Sequence, residues 1–235
     1  MKESFYRTGM LLGEAAESIL LNSTACVFGA GGVGGHCIDA LVRCGLGNIH
    51  IIDSAFVKKS NLNRQICAEK ATVGMKKVEA MRRHIEAVSD CNVSVSDVFA
   101  SQDNISSLIP SNTDIVIDCV DTVSAKLAII EEAQKRNIIV LSSMGAGNRL
   151  DPTAVRIGDI YSTSVDPLSR VMRRELRKRN IPALTCVYSL ETPKKPLIPS
   201  PDPDMKANSP ASVPFVPAAF GLALASEAIK ILLQK

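Results

Sequence analysis

Hydrophobic residues in the first 141 positions follow two alternating patterns. Short continuous apolar runs are separated by longer stretches in which apolar residues recur every three or four positions. Continuous runs are typical of strands buried on both faces of a parallel sheet, and the longer stretches are typical of the helices that cover it. The pattern predicts strands at 24–28, 48–52, 92–96, 114–118 and 138–141. It predicts helices near 33–44, 75–89, 103–108 and 122–136.

The pattern changes after residue 142, where a stretch of small residues covers 143–148. We predict that it is followed by a strand at 154–160, a helix at 167–179, a strand at 183–189 and a helix at 215–233. The intervening segment 190–214 holds seven prolines and almost no periodicity, which is typical of an extended crossover or mobile loop.

These elements predict an α/β fold with a Rossmann-like, doubly wound mixed sheet. Its N-terminal half is expected to be parallel, and additional strands are expected from the C-terminal half. We predict one domain over 1–235, with a nucleotide-binding half at 1–141 and a substrate-facing half at 142–235.

Composition narrows the class of protein. The chain has 235 residues, of which 46% are hydrophobic, so it is long enough for a substantial core. No apolar segment resembling a signal peptide is visible at the N-terminus. The most apolar stretch, 213–226, is interrupted by Pro214 and Pro217, so we expect a buried helix and no membrane association. Seven scattered cysteines without a C-x-x-C pair indicate reduced thiols in a cytoplasm and argue against structural zinc.

Positive charge is concentrated in one segment. The whole chain carries +3, but residues 170–195 alone contain eight basic and two acidic side chains. Six of the basic residues fall on the predicted helix at 167–179, where Leu168, Val171, Met172 and Leu176 would form its buried face. A solvated helix surface is the simplest interpretation of such a run. Because only one acidic residue accompanies six bases, we expect little internal pairing and favour contact with a polyanion.

A glycine-rich turn joins the first predicted strand to the next helix. Glycines permit a sharp turn and let phosphate oxygens approach backbone amides at a helix N-terminus. Asp53 closes the second predicted strand. It follows the glycine turn by about 20 residues, the sequence separation at which an acid can bind ribose hydroxyls. The context favours nucleotide binding over a purely structural turn, through the residues Gly29, Gly31, Gly32, Gly34 and Asp53.

Three further elements place charge near the phosphates. They are the segment 61–65 after the second strand, the segment 74–79 opening a helix, and Asp118 and Asp121 at a strand end. Alone, Arg64 could be a surface ion-pair partner, Lys77 a solvated residue, and Asp121 the N-cap of the following helix. Together they fit cleavage of the bond between the α- and β-phosphates, where cations neutralise developing charge and a carboxylate holds Mg²⁺. A dehydrogenase would not need this set.

With these motifs the chain resembles the ubiquitin-activating-like adenylating superfamily, the ThiF/MoeB/HesA fold. The resemblance implies an ATP–Mg²⁺ site in which Asp53 binds the ribose and Asp121 carries the metal. It implies that Arg7, in the segment 6–13, is donated into the partner's site of a homodimer. The phosphates would be bound by Asn61, Arg64, Gln65 and Lys77.

Within this superfamily the chain resembles the tRNA threonylcarbamoyladenosine dehydratase branch over nearly its full length. The segments that carry this likeness are 6–13, 143–153 and 166–176. The zinc-binding cysteine pairs of sulfur-carrier activators are absent. No cysteine follows Cys186, which we interpret as a buried strand residue, so the loop 190–214 cannot supply a thioester nucleophile.

The resemblance implies a reaction that needs no enzyme thiol. ATP adenylates the threonyl carboxylate of the modified adenosine in tRNA, and a nucleophile on the same modification then closes a ring and expels AMP. Catalysis would rest on Arg64, Lys77, Asp121 and Arg7. The tRNA would be bound by Arg170, Arg173, Arg174, Arg177, Lys178 and Arg179. A cysteine desulfurase or sulfur-acceptor partner, and a monovalent cation near 145–148, stay open.

Two positions depart from the pattern of the superfamily, and two other functions stay in competition. Ala55 stands where a second acid is common, and Gly35 where a small hydroxyl residue is usual. One alternative is adenylation of the C-terminal glycine of a ubiquitin-like or sulfur-carrier protein. The other is a non-enzymatic or NAD-binding module, against which Arg64, Lys77 and Asp121 argue.

Overall fold

Seven strands form one sheet in the order β3–β2–β1–β4–β5–β7–β6. The structure is a computed structural model that describes residues 2–199 and 210–234. Every neighbouring pair of strands is parallel except β6 and β7, which pair antiparallel. The predicted fold class is therefore confirmed. The strands are β1 Thr24–Phe28, β2 Asn48–Ile52, β3 Asn92–Ser96, β4 Ile115–Asp118, β5 Ile139–Ser143, β6 Val155–Asp159 and β7 Thr185–Ser189.

Helices cover both faces of the sheet, and six of the eight α-helices in the described residues were predicted. They are α1 Tyr6–Leu12, α2 Glu14–Asn22, α3 Gly34–Arg43, α4 Lys77–Glu86, α5 Ile105–Leu108, α6 Val123–Lys135, α7 Pro167–Lys178 and α8 Phe215–Leu233. The hydrophobic pattern did not predict α1 and α2. Both are short, Gly13 separates them with φ at +89°, and α1 exposes Met10 and Leu11 instead of burying an apolar stripe.

The core consists of apolar layers on opposite faces of the sheet. All five residues of β1 are buried, and alternate side chains join different layers because strand side chains point to opposite faces. Ala25 and Val27 pack in the layer that α3, α4 and α8 cover, whereas Cys26 and Phe28 pack in the layer of α5 and α6. Burial on both faces explains why β1 is a continuous apolar run.

Helix α8 is the longest element and lies along α3. Its 19 residues and mean hydropathy of 1.7 also suit a membrane-spanning segment by length and composition. Half of that stretch is buried inside the protein, however, and Val216, Phe220 and Leu224 belong to the core layer. This is the position expected of a buried helix.

The strand order reverses at β1, because β2 lies on one side of it and β4 on the other. In open α/β sheets, ligands bind at the carboxyl ends of the strands beside such a switch point. Gly29, Asp53 and Asp118 stand at these ends, so the fold brings the sequence-predicted elements to one edge of the sheet.

Candidate functional site

The glycine turn bends the chain sharply between β1 and α3. Gly29 has φ at +93°, which side chains rarely tolerate, and its amide donates to the Ile52 carbonyl at 2.7 Å. A Cβ at Gly34 would overlap the carbonyl oxygen of Gly29, so only glycine fits there. The turn thereby directs the N-terminus of α3 at a cavity lined by Gly31 and Gly32.

This cavity has a volume of about 460 Å³ and collects most of the predicted site. It lies at the carboxyl edge of the sheet, with walls from the turn, the ends of β2 and β4, and the start of α4. Of the predicted nucleotide-binding residues, Gly34 alone does not line it. Those that do are Gly29, Gly31, Gly32, Asp53, Asn61, Arg64, Gln65, Lys77 and Asp121.

Asp53 connects the second strand to the glycine turn. One carboxylate oxygen accepts a hydrogen bond from the amide of Ala30 at 2.8 Å, and the other accepts from the amide of Ala55 at 2.8 Å. Each carboxylate oxygen has a second lone pair, so Asp53 can still accept from hydroxyl groups of a ligand. The geometry fits the ribose-binding role that the resemblance implies.

The segment 61–65 forms one wall of the cavity. Asn61 is buried, and its Oδ1 accepts from the amide of Lys58 at 2.9 Å, which holds the turn in shape. Gln65 is only 7% exposed, and its Oε1 finds no hydrogen-bond partner within the described residues. A buried polar atom without a partner is costly, so this amide is expected to be completed by a ligand.

Arg64 and Lys77 bring positive charge to the cavity without neutralising it. The Arg64 guanidinium donates only to neutral oxygens, the Ser60 carbonyl at 3.1 Å and Asn63 Oδ1 at 2.9 Å. Burial lowers the pKa of Arg64. In the described part of the chain neither Arg64 nor Lys77 forms an ion pair, whereas the neighbouring Lys76 pairs with Asp97 at 2.9 Å. These two cations therefore stand ready for an anionic ligand.

The two aspartates after β4 have different environments. Asp118 is fully buried, and its Oδ2 accepts from Lys126 Nζ at 2.9 Å and from Ser142 Oγ at 2.6 Å. Asp121 is exposed and lines the cavity. The N-cap of α6 is Thr122, so the alternative interpretation of Asp121 as that helix cap is wrong. Asp121 is left as the carboxylate that can face a ligand.

Several residues of this edge were not predicted from the sequence. Lys126 is fully buried and also donates to the Ser143 carbonyl at 2.7 Å, which ties β4 to β5. Pro210, Ser212 and Pro217 line the cavity although they follow Asp121 by some ninety residues or more. No local pattern shows that the proline-rich segment returns to the nucleotide site. The one signal in the sequence was Lys126, a lysine at a position where the helix pattern predicts a buried residue.

One of the two departures from the superfamily pattern has a packing explanation. A Cβ at Gly35 would lie 3.1 Å from Ile66 Cγ2, so a larger residue would have to displace that side chain. The absence of an acid at Ala55 has no structural explanation; its backbone amide donates to Asp53 and its carbonyl accepts from the amide of Lys77 at 2.9 Å.

The basic helix α7 is built as predicted but is more strongly paired than expected. Asp166 caps its N-terminus by accepting from the amide of Ser169 at 2.6 Å, and Met172 and Leu176 are buried. Glu175 binds three of the basic side chains at 3.0–3.1 Å, which lowers its pKa to about 2, chiefly through Lys178 and then Arg179. The expectation of little internal pairing is therefore wrong.

The other three basic residues of α7 differ from one another. Arg173 donates to the carbonyl and hydroxyl oxygens of Thr163, so it anchors the helix. Arg177 lies over the Tyr161 ring, 5.1 Å from its centroid. Arg170 is exposed and, among residues 2–199 and 210–234, makes no side-chain hydrogen bond or ion pair.

Arg7 lies outside the cavity of its own chain. It is exposed on α1, next to the apolar side chains Tyr6, Met10 and Leu11, which are 51%, 87% and 85% exposed. A single chain therefore does not bring Arg7 to the residues it was predicted to act with.

The cysteines offer no nucleophile. All seven are unpaired, and Cys186 is fully buried in β7, where burial raises the pKa of its thiol to about 12. A buried thiol with a raised pKa is a poor nucleophile. Within the described residues no group of three or more His, Cys, Asp or Glu could hold a metal ion.

Known proteins are similar to this chain over nearly its full length. The model of the ThiF family matches residues 6–235. The tRNA threonylcarbamoyladenosine dehydratase of Bacillus subtilis is 34% identical over all of this chain and 96% of its own length. Structures of E. coli TcdA, a tRNA N6-threonylcarbamoyladenosine dehydratase, with ATP or AMP bound are 31% identical, with TM-scores of 0.89 and 0.90. They cover 99% of this chain and 94% of theirs.

These matches span nearly the whole chain and include the turn, the segment 61–65 and the basic helix. The resemblance inferred from the motifs is thus confirmed: the chain belongs to the ThiF family, in the branch of the tRNA threonylcarbamoyladenosine dehydratases.

Proposed function

We propose that the protein catalyses the ATP-dependent dehydration of N6-threonylcarbamoyladenosine in tRNA, through adenylation of the threonyl carboxylate. One observation carries the proposal. A cavity at a glycine turn holds Arg64 and Lys77 without ion-pair partners in the described chain, together with the exposed carboxylate of Asp121. The E. coli relative whose structures hold ATP and AMP gives the nucleotide its identity.

The first step joins the carboxylate to the α-phosphate. A carboxylate oxygen attacks phosphorus, the bond to the β-phosphate breaks, and pyrophosphate leaves with the electron pair. Arg64 and Lys77 lie where they can stabilise the charge that develops on the phosphate oxygens. Asp53 binds the ribose and fixes the position of the α-phosphate relative to the turn.

Magnesium belongs to the proposal, and a monovalent cation does not. Mg²⁺ needs only one or two protein carboxylates beside the phosphates, and Asp121 can supply one. When bound, the ion would neutralise phosphate charge. The carbonyl oxygens of Gly145 and Gly147 already accept from the Arg149 guanidinium, which is buried and paired with Asp166, so these carbonyls have a protein donor as their partner.

The second step needs no protein nucleophile. A nucleophile on the same modified base attacks the activated acyl carbon, the bond to AMP breaks, and the ring closes with net loss of one water from the nucleoside. Proximity within one molecule replaces a thioester intermediate, which agrees with the burial of Cys186. A sulfur-acceptor partner is therefore not required by this chemistry.

The surroundings of the site also take part in the proposed function. The basic residues Arg170, Arg174, Arg177, Lys178 and Arg179 of α7 would contact tRNA phosphates, while Arg173 supports the helix. The exposed apolar side chains beside Arg7 favour a homodimer that delivers Arg7 into the partner's cavity. A cytoplasmic location follows from the tRNA substrate.

The decisive experiment measures AMP release from ATP with tRNA that carries the threonylcarbamoyl group and with the same tRNA lacking it. We expect AMP only with the modified tRNA, together with a nucleoside lighter by the mass of one water. Arg64→Ala and Asp121→Ala should abolish turnover with unchanged circular dichroism. AMP that appears only with a small carrier protein ending in two glycines would support the alternative adenylation instead.

A further inference from the structure

Asn148 contacts both described parts of the crossover segment. We call these parts its limbs: residues 190–199 after β7 and residues 210–214 before α8. It lies in the loop after β5 with φ at +61°, a left-handed conformation that asparagine tolerates better than most residues. Its carbonyl accepts from the amide of Lys194 at 2.8 Å, on the limb that leaves β7. Its amide donates to the Ala211 carbonyl and its Oδ1 accepts from the Ala211 amide, both at 2.8 Å.

The limb held through Ala211 is a wall of the nucleotide cavity. Pro210 and Ser212 line the cavity, and the Ser212 carbonyl accepts from Asn63 Nδ2 at 2.9 Å, next to Arg64. A Cβ at Gly147 would lie 2.6 Å from Pro210 Cβ, so the glycine permits this close approach. The wall therefore rests on the loop 145–148 on one side and on the segment 61–65 on the other.

The loop that carries Asn148 is itself rigidly held by the next residue. The Arg149 side chain is almost fully buried, donates to the Glu191 carbonyl at 3.0 Å and pairs with Asp166 at 2.8 Å. Asp166 is the N-cap of α7. Asn148 is thus a fixed residue to which both limbs are hydrogen-bonded. Two of these hydrogen bonds use its backbone, so a substitution at this position can remove only the third, between its side-chain oxygen and the Ala211 amide.

We propose that Asn148 is a positioning residue that clasps the wall at 210–212 over the bound acyl adenylate, so that the adenylate closes its ring before water reaches it. This inference rests on the proposed function. An acyl adenylate is lost in either of two ways. The tethered nucleophile attacks the acyl carbon and expels AMP, or water attacks the same carbon and regenerates the carboxylate with AMP. Exclusion of water decides between them.

Two substitutions separate the side-chain oxygen from the backbone. Asn148→Gly retains the left-handed backbone and both backbone hydrogen bonds but lacks the oxygen that accepts from Ala211. Asn148→Asp retains an acceptor of the same size at the same position. Because both variants keep the fold of the loop, a difference between them reports the clasp.

The first readout is the ratio of AMP to cyclised nucleoside with modified tRNA. We expect one AMP per product for the unchanged protein and for Asn148→Asp, within about twofold. For Asn148→Gly the ratio should rise about 3- to 10-fold, the range expected for loss of one hydrogen bond. An unchanged ratio in Asn148→Gly would overturn the proposal, even if overall turnover fell.

The second readout does not depend on catalysis. Exchange of the Ala211 amide hydrogen with deuterium should be several-fold faster in Asn148→Gly than in the unchanged protein or Asn148→Asp, with ATP present in all three, because only the glycine variant removes the acceptor of that amide. Equal exchange at Ala211 would overturn the clasp. If the unchanged protein releases no AMP with any tRNA, the proposed function fails by itself, and this exchange test still decides whether the Asn148 side chain holds the wall at 210–212.

Discussion

The nucleotide cavity and helix α7 both concentrate positive charge, but their surroundings differ. In the cavity, Arg64 and Lys77 have no carboxylate partner in the described chain. On α7, Glu175 alone binds Arg174, Lys178 and Arg179. Holding unpaired cations in a half-buried cavity is unfavourable unless an anion binds them, whereas exposed and paired cations are a common feature of helix surfaces. The ion-pair partners of a cation therefore indicate its function better than the number of cations around it does.

The largest effect should be a difference in turnover between variants of two adjacent lysines. Lys77→Ala removes an unpaired cation from the cavity, so we expect turnover to fall about 100-fold or more, as when one group that stabilises a transition state is deleted. Lys76→Ala is the matched control, because Lys76 pairs with Asp97 and lies over the Phe56 ring. We expect its turnover to stay within about twofold. Single-turnover AMP formation at saturating ATP measures both, and equal losses would remove Lys77 from the phosphate site.

The N-terminal half shows why part of this molecule is predictable from sequence. Strands β1, β2 and β3 begin and end at the predicted residues. Burial on both faces explains the continuous apolar run of β1, whereas β3 alternates apolar and polar residues and has no fully buried residue. Helix α4 is shorter than predicted, at Lys77–Glu86, because Lys76 is extended with ψ at 137° and pairs its backbone outside the helix. The glycine turn, Asp53, Arg64 and Lys77 were predictable because their order along the chain matches the strand ends on which they lie.

What could not be predicted are contacts between residues far apart in the chain. The pairing of Glu175 is not of this kind. Glu175 lies three and four positions before Lys178 and Arg179, so helix spacing could have predicted it. The contacts of Arg173 with Thr163, of Arg149 with Asp166 and of Asn148 with Ala211 depend on how loops return to the sheet. No periodicity reports such a return, which is why the wall at 210–212 was not expected.

A second prediction divides the basic residues of α7 among themselves. Arg170→Gln with Arg177→Gln removes two exposed cations that lack carboxylate partners in the described residues, so we expect about 10-fold weaker binding of tRNA. The slope of binding against salt should fall by about 2, one for each phosphate contact. Arg43→Gln with Arg82→Gln removes the same charge from α3 and α4, where both residues form ion pairs.

This control should leave affinity within about twofold at physiological salt. Filter binding of the modified tRNA over a salt series would measure both pairs. Equal weakening by the two pairs would mean that net charge alone attracts tRNA and that α7 has no special role.

A third prediction concerns Arg173, which belongs to α7 but acts as part of the scaffold. Its bonds to Thr163 anchor the helix, so Arg173→Gln should lower the free energy of unfolding by about 1–3 kcal/mol. Affinity for tRNA should change less than in the Arg170 and Arg177 double variant. Urea denaturation and filter binding on the same preparation would distinguish the roles, and a loss of affinity without a loss of stability would return Arg173 to the tRNA interface.

The smallest effect should come from removing the acid and not the bases. Glu175→Gln releases Arg174, Lys178 and Arg179 from their common partner, so we expect tRNA to bind about two- to fivefold more tightly, because each unpaired cation near a phosphate adds to affinity. Glu227→Gln, which breaks the similar pair with Lys230 on α8, should leave affinity unchanged. The pKa of Glu175 is lowered to about 2, so its stabilising contribution is complete above its ordinary value and is lost only as the pH falls through about 2. Acidification from pH 8 to pH 5 should therefore not reproduce the substitution, and a rise in affinity over that range that is absent in Glu175→Gln would contradict this assignment.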